Sequence, residues 1–145
     1  MKTSIHIRRA ELQDGPVLAQ LCEQLGYAAP PAEVRAHLAR HPHQPGHCLL
    51  VALVEGVPVG WLEVFVRDAL DSGVWAEISG LVVEASRRRQ GVGSALLLAA
   101  RRWAQAEGVK RLRVRTRVER EGAARFYARE GFRLTKQQRV YDLDL

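Results

Sequence analysis

The sequence predicts a single-domain α/β protein with a mixed central sheet and helices on both faces. The chain has 145 residues, of which 47% are hydrophobic, and this suits one domain with one substantial core. Strand-like and helix-like patterns alternate in the order β α α β β β α β α β, without a linker or repeat. We expect about six to seven strands, antiparallel at first, with one parallel crossover through residues 91–107.

The first third of the chain predicts one strand and two helices. "SIHIRRA" alternates as a strand does, and "ELQDGPVLAQLCEQLGY" then spaces its apolar residues as one helical face. Those residues are Leu12, Val17, Leu18, Leu21, Cys22 and Leu25. Pro30 and Pro31 end this helix and begin a second one, "AEVRAHLARH".

The middle of the chain predicts a hairpin and a further strand. "HCLLVALVEGVPVGWLEVFVRD" contains two strands that turn at Glu55, Gly56 and Val57. "VWAEISGLVVE" is the next strand, and Gly80 predicts a bulge or a close backbone approach within it. Simple alternation places two sets on opposite faces: Trp75, Glu77, Ser79, Leu81 and Val83 on one, and Ala76, Ile78, Gly80 and Val82 on the other.

The last third predicts two helices and two strands. A helix from residue 91 ends at Gly108, the strand "KRLRVRTRV" follows, and Gly131 caps the helix "REGAARFYARE". "QQRVYDLDL" is predicted as a final strand.

Membrane and secreted classes are not expected. No stretch approaches the roughly 18 apolar residues of a membrane span, and "MKTSIHIRRAE" lacks an apolar signal core. Cys22 and Cys48 fall in apolar patterns, which predicts buried free thiols rather than a disulfide. We therefore expect a soluble, cytoplasmic protein.

Charge is distributed unevenly around a net value of +6. Residues 41–86 hold one basic and six acidic side chains, whereas residues 87–145 hold sixteen basic and six acidic ones. Two interpretations stay open: an arginine-rich surface that follows genomic base composition, or one part that faces an anion and another that faces a cation. No recognition helix or aromatic RNA-binding motif supports a nucleic-acid partner.

Three arginines and two glycines open the helix in "RRRQGVGSALLLAARRW", residues 87–103. No Gly-Lys-Ser/Thr follows, and Leu96 stands where a dinucleotide fingerprint has its third glycine. A helix N-terminus with Gly91 and Gly93 nevertheless lets a phosphate approach exposed N–H groups. The alternative is a glycine-rich turn with solvated arginines.

The segment "RRQGVG", residues 88–93, resembles the R/Q-x-x-G-x-G/A signature of the GNAT N-acetyltransferase superfamily. "IHIRRAELQDGPVLAQL", "AEISGLVV" and "AARFYAREGF" resemble that family's first strand and helix, fourth strand and closing helix, in the expected order. The resemblance spans nearly the whole chain. It implies a GNAT-like fold, one N-acetyltransferase domain over residues 1–145, and acetyl-coenzyme A as acetyl donor.

The resemblance also implies where the cofactor binds. Backbone amides near Leu81 and Val82 bind the acetyl oxygen, and Val83 pairs with the pantetheine arm. The family often has an asparagine seven residues before its tyrosine, where this chain has Arg120. Arg120 is either a cofactor contact or a solvated helix-start residue. The implied pyrophosphate cradle comprises Arg88, Arg89, Gln90, Gly91, Val92, Gly93 and Ser94.

Two catalytic roles follow from the resemblance and from amine chemistry. Tyr127 matches the family's general acid to the departing thiolate; a packed tyrosine with a solvated hydroxyl is the alternative. The attacking amine is mostly protonated at neutral pH and needs a base. Glu77 is the first candidate, Glu63 is the reserve, and an ordered water is the third option. Each glutamate could instead be a solvated strand carboxylate.

Four histidines, His37, His41, His43 and His47, precede Cys48 around a Pro- and Gly-containing loop. Their spacing fits no closed zinc pattern, so we predict no metal and expect contact with the acceptor instead. Cys22 and Cys48 lie outside the cofactor motifs, which disfavours a cysteine relay.

We therefore predict direct acetyl transfer to the primary amine of a small, cationic acceptor that resembles an aminoglycoside or a polyamine. One alternative is acetylation of a protein N-terminus or lysine. Another is a non-catalytic coenzyme A-binding module. The sequence leaves the oligomeric state open, with a homodimer among the options.

Overall fold

The computed structural model describes residues 4–24, 26–41 and 44–145. Leu25 and His43, both used above, lie outside the described residues. The chain divides into two compact units, one that extends to Val114 and one formed by Arg115–Leu145. The expectation of one domain over residues 1–145 stays a prediction.

Five strands form one mixed sheet in the first unit, in chain order. Neighbouring strands pair antiparallel from the first to the fourth, and the fourth and fifth pair parallel. The mixed sheet and its single parallel crossover confirm the predicted fold class. The strands are β1 (Ile5–Arg9), β2 (His47–Val54), β3 (Val57–Ala69), β4 (Gly73–Val83) and β5 (Leu112–Val114).

Within the first unit, helices cover both faces of this sheet. These helices are α1 (Gly15–Gln24), α2 (Pro31–Arg40) and α3 (Val92–Ala106), whereas α4 (Glu121–Arg129) belongs to the second unit. Leu18 of α1 and Leu38 of α2 share a buried cluster with Val51 of β2. On the opposite face, a Cβ at Gly60 would stand 3.4 Å from Leu96 of α3. No helix in the described ranges is long and apolar enough to cross a membrane.

Turns with positive φ end several elements where glycine predicts them. Glu55 and Gly56 join β2 to β3 with φ of 52° and 77°, as a two-residue type I′ hairpin requires. Gly108 and Gly131 follow α3 and α4 with φ of 82° and 96°, which confirms both predicted C-caps. Cys22 and Cys48 are buried free thiols, as predicted, and burial raises the pKa of both.

The predicted final strand is wrong. Residues 132–145 are described and contain no strand. The alternation in "QQRVYDLDL" indicates a propensity for extended backbone, whereas a strand also needs backbone hydrogen bonds to a neighbouring strand. The described ladders do not include these residues. Without this strand, the sheet of the described residues has five strands rather than six or seven. "KRLRVRTRV" is a strand only over Leu112–Val114.

The predicted bulge near Gly80 is confirmed, and it overturns the predicted division of faces in β4. Glu63 pairs with Gly80, but Val64 pairs with Ile78, which leaves Ser79 as an extra residue. Because side chains alternate with a period of two, one extra residue reverses the faces beyond it. Glu77 therefore shares its face with Gly80 and Val82 and not, as predicted, with Leu81 and Val83.

A partly buried ion pair joins β1 to the start of the helical layer. Arg8 Nη1 and Nη2 donate to the two carboxylate oxygens of Asp14 at 2.8 and 2.9 Å. The backbone N–H of Glu11 donates to Asp14 at 2.7 Å, and the Asp14 side chain is 5% exposed. The Arg8 hydrogen bond holds the pKa of Asp14 below its ordinary value.

We expect Asp14→Asn to destabilise the fold by about 2–3 kcal/mol, because Arg8 keeps its charge and loses its partner. The folded-state pKa of Asp14 is depressed, so this stability is present above the unfolded value of about 3.9. It is lost as pH falls through the folded value. Urea unfolding should show a large gap between wild type and variant at neutral pH that narrows in acid.

Glu23→Gln on the exposed side of α1 is the matched control and should leave stability nearly unchanged. A pH-independent gap for Asp14→Asn would contradict the assigned ion pair.

Candidate functional site

In the second half of β4, the backbone edge that faces away from β3 does not pair with β5. Within the described sheet, β5 pairs only with the segment from Ala76 to Ile78, whereas β4 continues to Val83. The Glu84 N–H donates to the Val59 carbonyl at 2.8 Å. Alternation along the antiparallel ladder then directs the N–H groups of Leu81 and Val83 toward the open edge.

The backbone groups of Val82 point the opposite way from those of Leu81 and Val83. Its N–H faces β3, and its side chain is buried at 3% exposure in the core. This arrangement gives the Val82 side chain a packing role, and the predicted amide contact of Val82 with an acetyl oxygen stays a prediction. Leu81 and Val83 keep backbone groups that a ligand could pair with as an added strand.

The start of α3 has the geometry of an anion site. Gly91 precedes the helix with φ of 86° and provides no side-chain cap. The N–H groups of Val92 and Gly93 lie in the first helical turn, where no intrahelical acceptor exists. Ser94 completes this turn and is half-buried. A phosphate at this position would meet N–H groups at the positive end of the helix dipole.

Exposed basic residues flank this helix start. Arg88, Arg89 and Gln90 are exposed, and Arg87 is half-buried. Arg89 has φ of 65°, a left-handed conformation that is uncommon outside glycine. Among the described residues, these arginines form no ion pair with a carboxylate. Their charge is thus available to an anionic ligand.

A cavity of about 220 Å³ lies between α1, α2, β2 and β3. Its walls are largely apolar, and its polar side chains are two carboxylates and one imidazole. Neither arginine nor lysine is among the described residues that line it. The lining residues are Leu18, Cys22, Ala28, Ala29, Glu33, Val34, His37, Leu38, Leu49, Trp61 and Glu63.

The cavity lies next to the open edge of β4, because the ring of Trp61 packs on the backbone of Gly80. A Cβ at Gly80 would stand 2.6 and 2.8 Å from two carbons of the Trp61 ring, so the indole packs directly on the glycine backbone. Trp61 and Glu63 line the cavity and pair with Val82 and Gly80 in the ladder. The cavity therefore lies beside the strand segment that offers its backbone at Leu81.

Glu63 is held from two sides. The Ser79 hydroxyl donates to Glu63 Oε1 at 3.2 Å, and His37 Nε2 contacts Glu63 Oε2. The Glu63 side chain is 20% exposed. The bulge brings Ser79 into this contact, because it is the extra residue opposite the Glu63 pair.

Glu77 occupies a different environment. It is 6% exposed, Arg67 Nη1 donates to it at 3.2 Å, and Trp75 Nε1 donates at 3.4 Å. Arg113 lies over the Trp75 ring at 4.8 Å. Glu77 is not among the described residues that line the cavity. The first sequence candidate for the base is thus engaged with arginine, and the reserve lines the cavity.

The second unit carries Tyr127 and Arg120. Tyr127 lies on α4 and makes edge-on ring contacts with Phe126 at 5.2 Å and Phe132 at 5.5 Å. The Phe132 N–H donates to the Tyr127 carbonyl at 2.9 Å. Arg120 immediately precedes α4 and is exposed. The acid role of Tyr127 and the cofactor role of Arg120 stay predictions.

Aromatic rings form a row of contacts beside Glu63, of which the His37–His41 and His41–His47 pairs are tilted and the His47–Phe65 pair is stacked. Ring centroids are 4.3 Å apart for His37 and His41, 5.3 Å for His41 and His47, and 5.9 Å for His47 and Phe65. Burial, and then the charges of its two histidine neighbours, lower the pKa of His41. The described residues contain no group of three or more side chains that could hold a metal.

The contact between His37 and Glu63 could not be inferred from the sequence, because 26 positions separate the two residues. The sequence likewise predicts Cys22 only as a buried thiol in an apolar pattern and does not show that it lines the cavity with Trp61. A local signal existed only for Trp61, which lies on the same predicted face of β3 as Glu63.

Comparison with known proteins gives one matching family model. Residues 16–132 match the model of the acetyltransferase (GNAT) family. The chain is 32% identical over 129 residues to an aminoalkylphosphonate N-acetyltransferase of Salmonella typhimurium, covering 88% of this chain and 84% of the relative.

Two further relatives extend this likeness. The chain is 28% identical over 113 residues to the aminoglycoside N(6')-acetyltransferase type 1 of Klebsiella aerogenes, covering 76% of this chain and 74% of that protein. Its fold matches AAC(6')-Iy in complex with the bisubstrate analogue CoA-S-monomethyl-acetylneamine, with a TM-score of 0.88 at 21% identity, over 99% of this chain and 100% of that chain.

Proposed function

The chain belongs to the acetyltransferase (GNAT) family and is thus an acyltransferase, and from this premise we propose that it transfers the acetyl group of acetyl-coenzyme A directly to the primary amine of a small, cationic acceptor. The observation that carries this proposal is the acid-lined cavity beside the open edge of β4.

The helix start and the open edge support binding of the donor. The pyrophosphate would meet the N–H groups of Val92 and Gly93 and the charges of Arg88 and Arg89. The pantetheine arm would pair with the backbone of β4 at Val83. Gln90, Gly91 and Ser94 belong to the same cradle, and Arg120 is proposed as a further contact.

The charge of the cavity supports a cationic acceptor. Glu33 and Glu63 line it together with His37, and the described lining contains no fixed positive charge. The curated relatives include an aminoglycoside enzyme and an aminoalkylphosphonate enzyme. An aminoglycoside carries several ammonium groups, whereas an aminoalkylphosphonate also carries an anionic group that two carboxylates would repel. The aminoglycoside-like or polyamine-like acceptor is therefore preferred.

The proposed reaction proceeds in one transfer. A carboxylate accepts one proton from the substrate ammonium, and the neutral amine attacks the thioester carbon. The N–H of Leu81, at the open edge, stabilises the negative oxygen of the tetrahedral intermediate. The carbon–sulfur bond then breaks and Tyr127 protonates the departing thiolate. The nitrogen loses its remaining extra proton to water to form the amide, and the Tyr127 phenolate regains a proton from solvent. The cavity geometry supports Glu63 as the first proton acceptor, in preference to Glu77.

Arg88→Gln should weaken coenzyme A binding by about 5- to 10-fold, because one exposed charge beside the pyrophosphate is lost. Binding of pantetheine, which has no pyrophosphate, should not change. Isothermal titration of both ligands tests this. Arg102→Gln, an equal charge change farther along the exposed side of α3, is the control; an equal effect of both variants would contradict the proposed cradle.

Thiol release from acetyl-coenzyme A should be fastest with a polyamine or aminoglycoside acceptor. It should be slower with aminoalkylphosphonates and with peptide N-termini or lysines. Tyr127→Phe should slow the best acceptor by about 10- to 100-fold, whereas Tyr141→Phe, the same change at an exposed site, should not. A preference for peptides would favour the protein-acetylating alternative, and binding without any turnover would favour a coenzyme A-binding module.

Glu63→Gln should lower kcat by about 100-fold while the affinity for coenzyme A is unchanged, because the amide cannot accept the ammonium proton. Glu77→Gln should instead lower the free energy of unfolding, because a buried site loses the charge that Arg67 and the Trp75 N–H contact. Steady-state kinetics and urea unfolding of both variants separate the two roles. The reverse pattern would assign the base to Glu77.

A further inference from the structure

We propose that His37 is a positioning residue that aims the Glu63 carboxylate at the acceptor amine, together with Ser79. This inference rests on the proposed function. Its basis is the pair of contacts on Glu63: Ser79 Oγ donates to one carboxylate oxygen at 3.2 Å, and His37 Nε2 contacts the other. Both oxygens are therefore constrained, and the plane of the carboxylate is fixed.

A fixed carboxylate matters because β3 alone does not orient it. A glutamate side chain has three rotatable bonds, and a proton acceptor must stand within hydrogen-bond distance of the ammonium. Glu63 is thus already oriented when a cationic amine enters the cavity that it lines.

The position of His37 is itself determined by its neighbours. It lies in the last turn of α2, and its ring packs at a tilt of 36° against His41, which packs at a tilt of 42° against His47. The row ends on Phe65 of β3, two residues beyond Glu63 on the same face of the strand. Helix α2 and strand β3 are therefore joined at the carboxylate both through the Glu63 contact and through the rings.

His41 is unsuited to the same task. Burial and then its two histidine neighbours lower its pKa, and among the described residues it forms no hydrogen bond with Glu63 comparable to that of His37. The positioning role is accordingly assigned to His37 and not to the histidine cluster as a whole.

His37→Phe and His37→Gln separate positioning from packing. Phenylalanine retains a ring that can pack against His41 but has no donor, and glutamine retains an N–H donor without the ring. We expect His37→Phe to lower kcat by about 10-fold with little change in the KM of acetyl-coenzyme A. His37→Gln should recover most of the lost rate. Loss in His37→Gln with normal rate in His37→Phe would overturn the proposal.

A double-mutant cycle ties the effect to Glu63. In a Glu63→Gln background, His37→Phe should have no further effect on kcat, because the group it positions is gone. If the reductions in kcat of the two single variants multiply in the double variant, the proposal is overturned. If Glu63→Gln alone leaves kcat unchanged, the proposed base is wrong and the inference fails with it.

The pairing can also be measured without an acceptor. Urea midpoints of wild type, His37→Phe, Glu63→Gln and the double variant should be non-additive if the two side chains interact. Additive midpoints would overturn the inference even if acetyl transfer proceeds as proposed. Non-additive midpoints without turnover on any acceptor would instead retain the pairing and reject the proposed function.

Discussion

The extra residue in β4 is the constraint on which the candidate site depends. Ser79 interrupts the ladder with β3, and the pairing with β5 ends one residue earlier at Ile78. Beyond this point the backbone of Leu81 and Val83 faces an open edge, and the side chains change faces. The same bulge supplies the hydroxyl that contacts Glu63 and brings Gly80 beneath the Trp61 ring.

Glu77 and Glu63 lie on the same face of the sheet, but their surroundings suit them to different roles. Glu77 is buried and engaged by Arg67 and Trp75, so its charge is neutralised locally and supports the fold. Glu63 lines a cavity and is contacted by His37 and Ser79. A carboxylate that is held but open to a cavity suits proton transfer, whereas one that is sealed by arginine suits stability.

Within the first unit, the uneven charge of the chain corresponds to separate basic and acidic regions. The arginines that precede α3 are free of carboxylate partners among the described residues, and they flank a helix start that favours anions. The cavity has the opposite polarity, with Glu33 and Glu63 in its lining. The first unit thus holds both a helix start that favours anions and a cavity lined by carboxylates, which is the polarity that the proposed donor and acceptor would need.

Local patterns determined the order of the elements as far as α4, the hairpin at Glu55–Gly56, the glycine caps and the glycine-rich start of α3, because each depends on residues close together in the chain. Tertiary structure alone decided three things: that "QQRVYDLDL" finds no ladder, that the bulge reverses the faces of β4, and that His37 meets Glu63. Each depends on pairing or packing between distant segments, and neither alternation nor spacing records which distant partner a residue will contact.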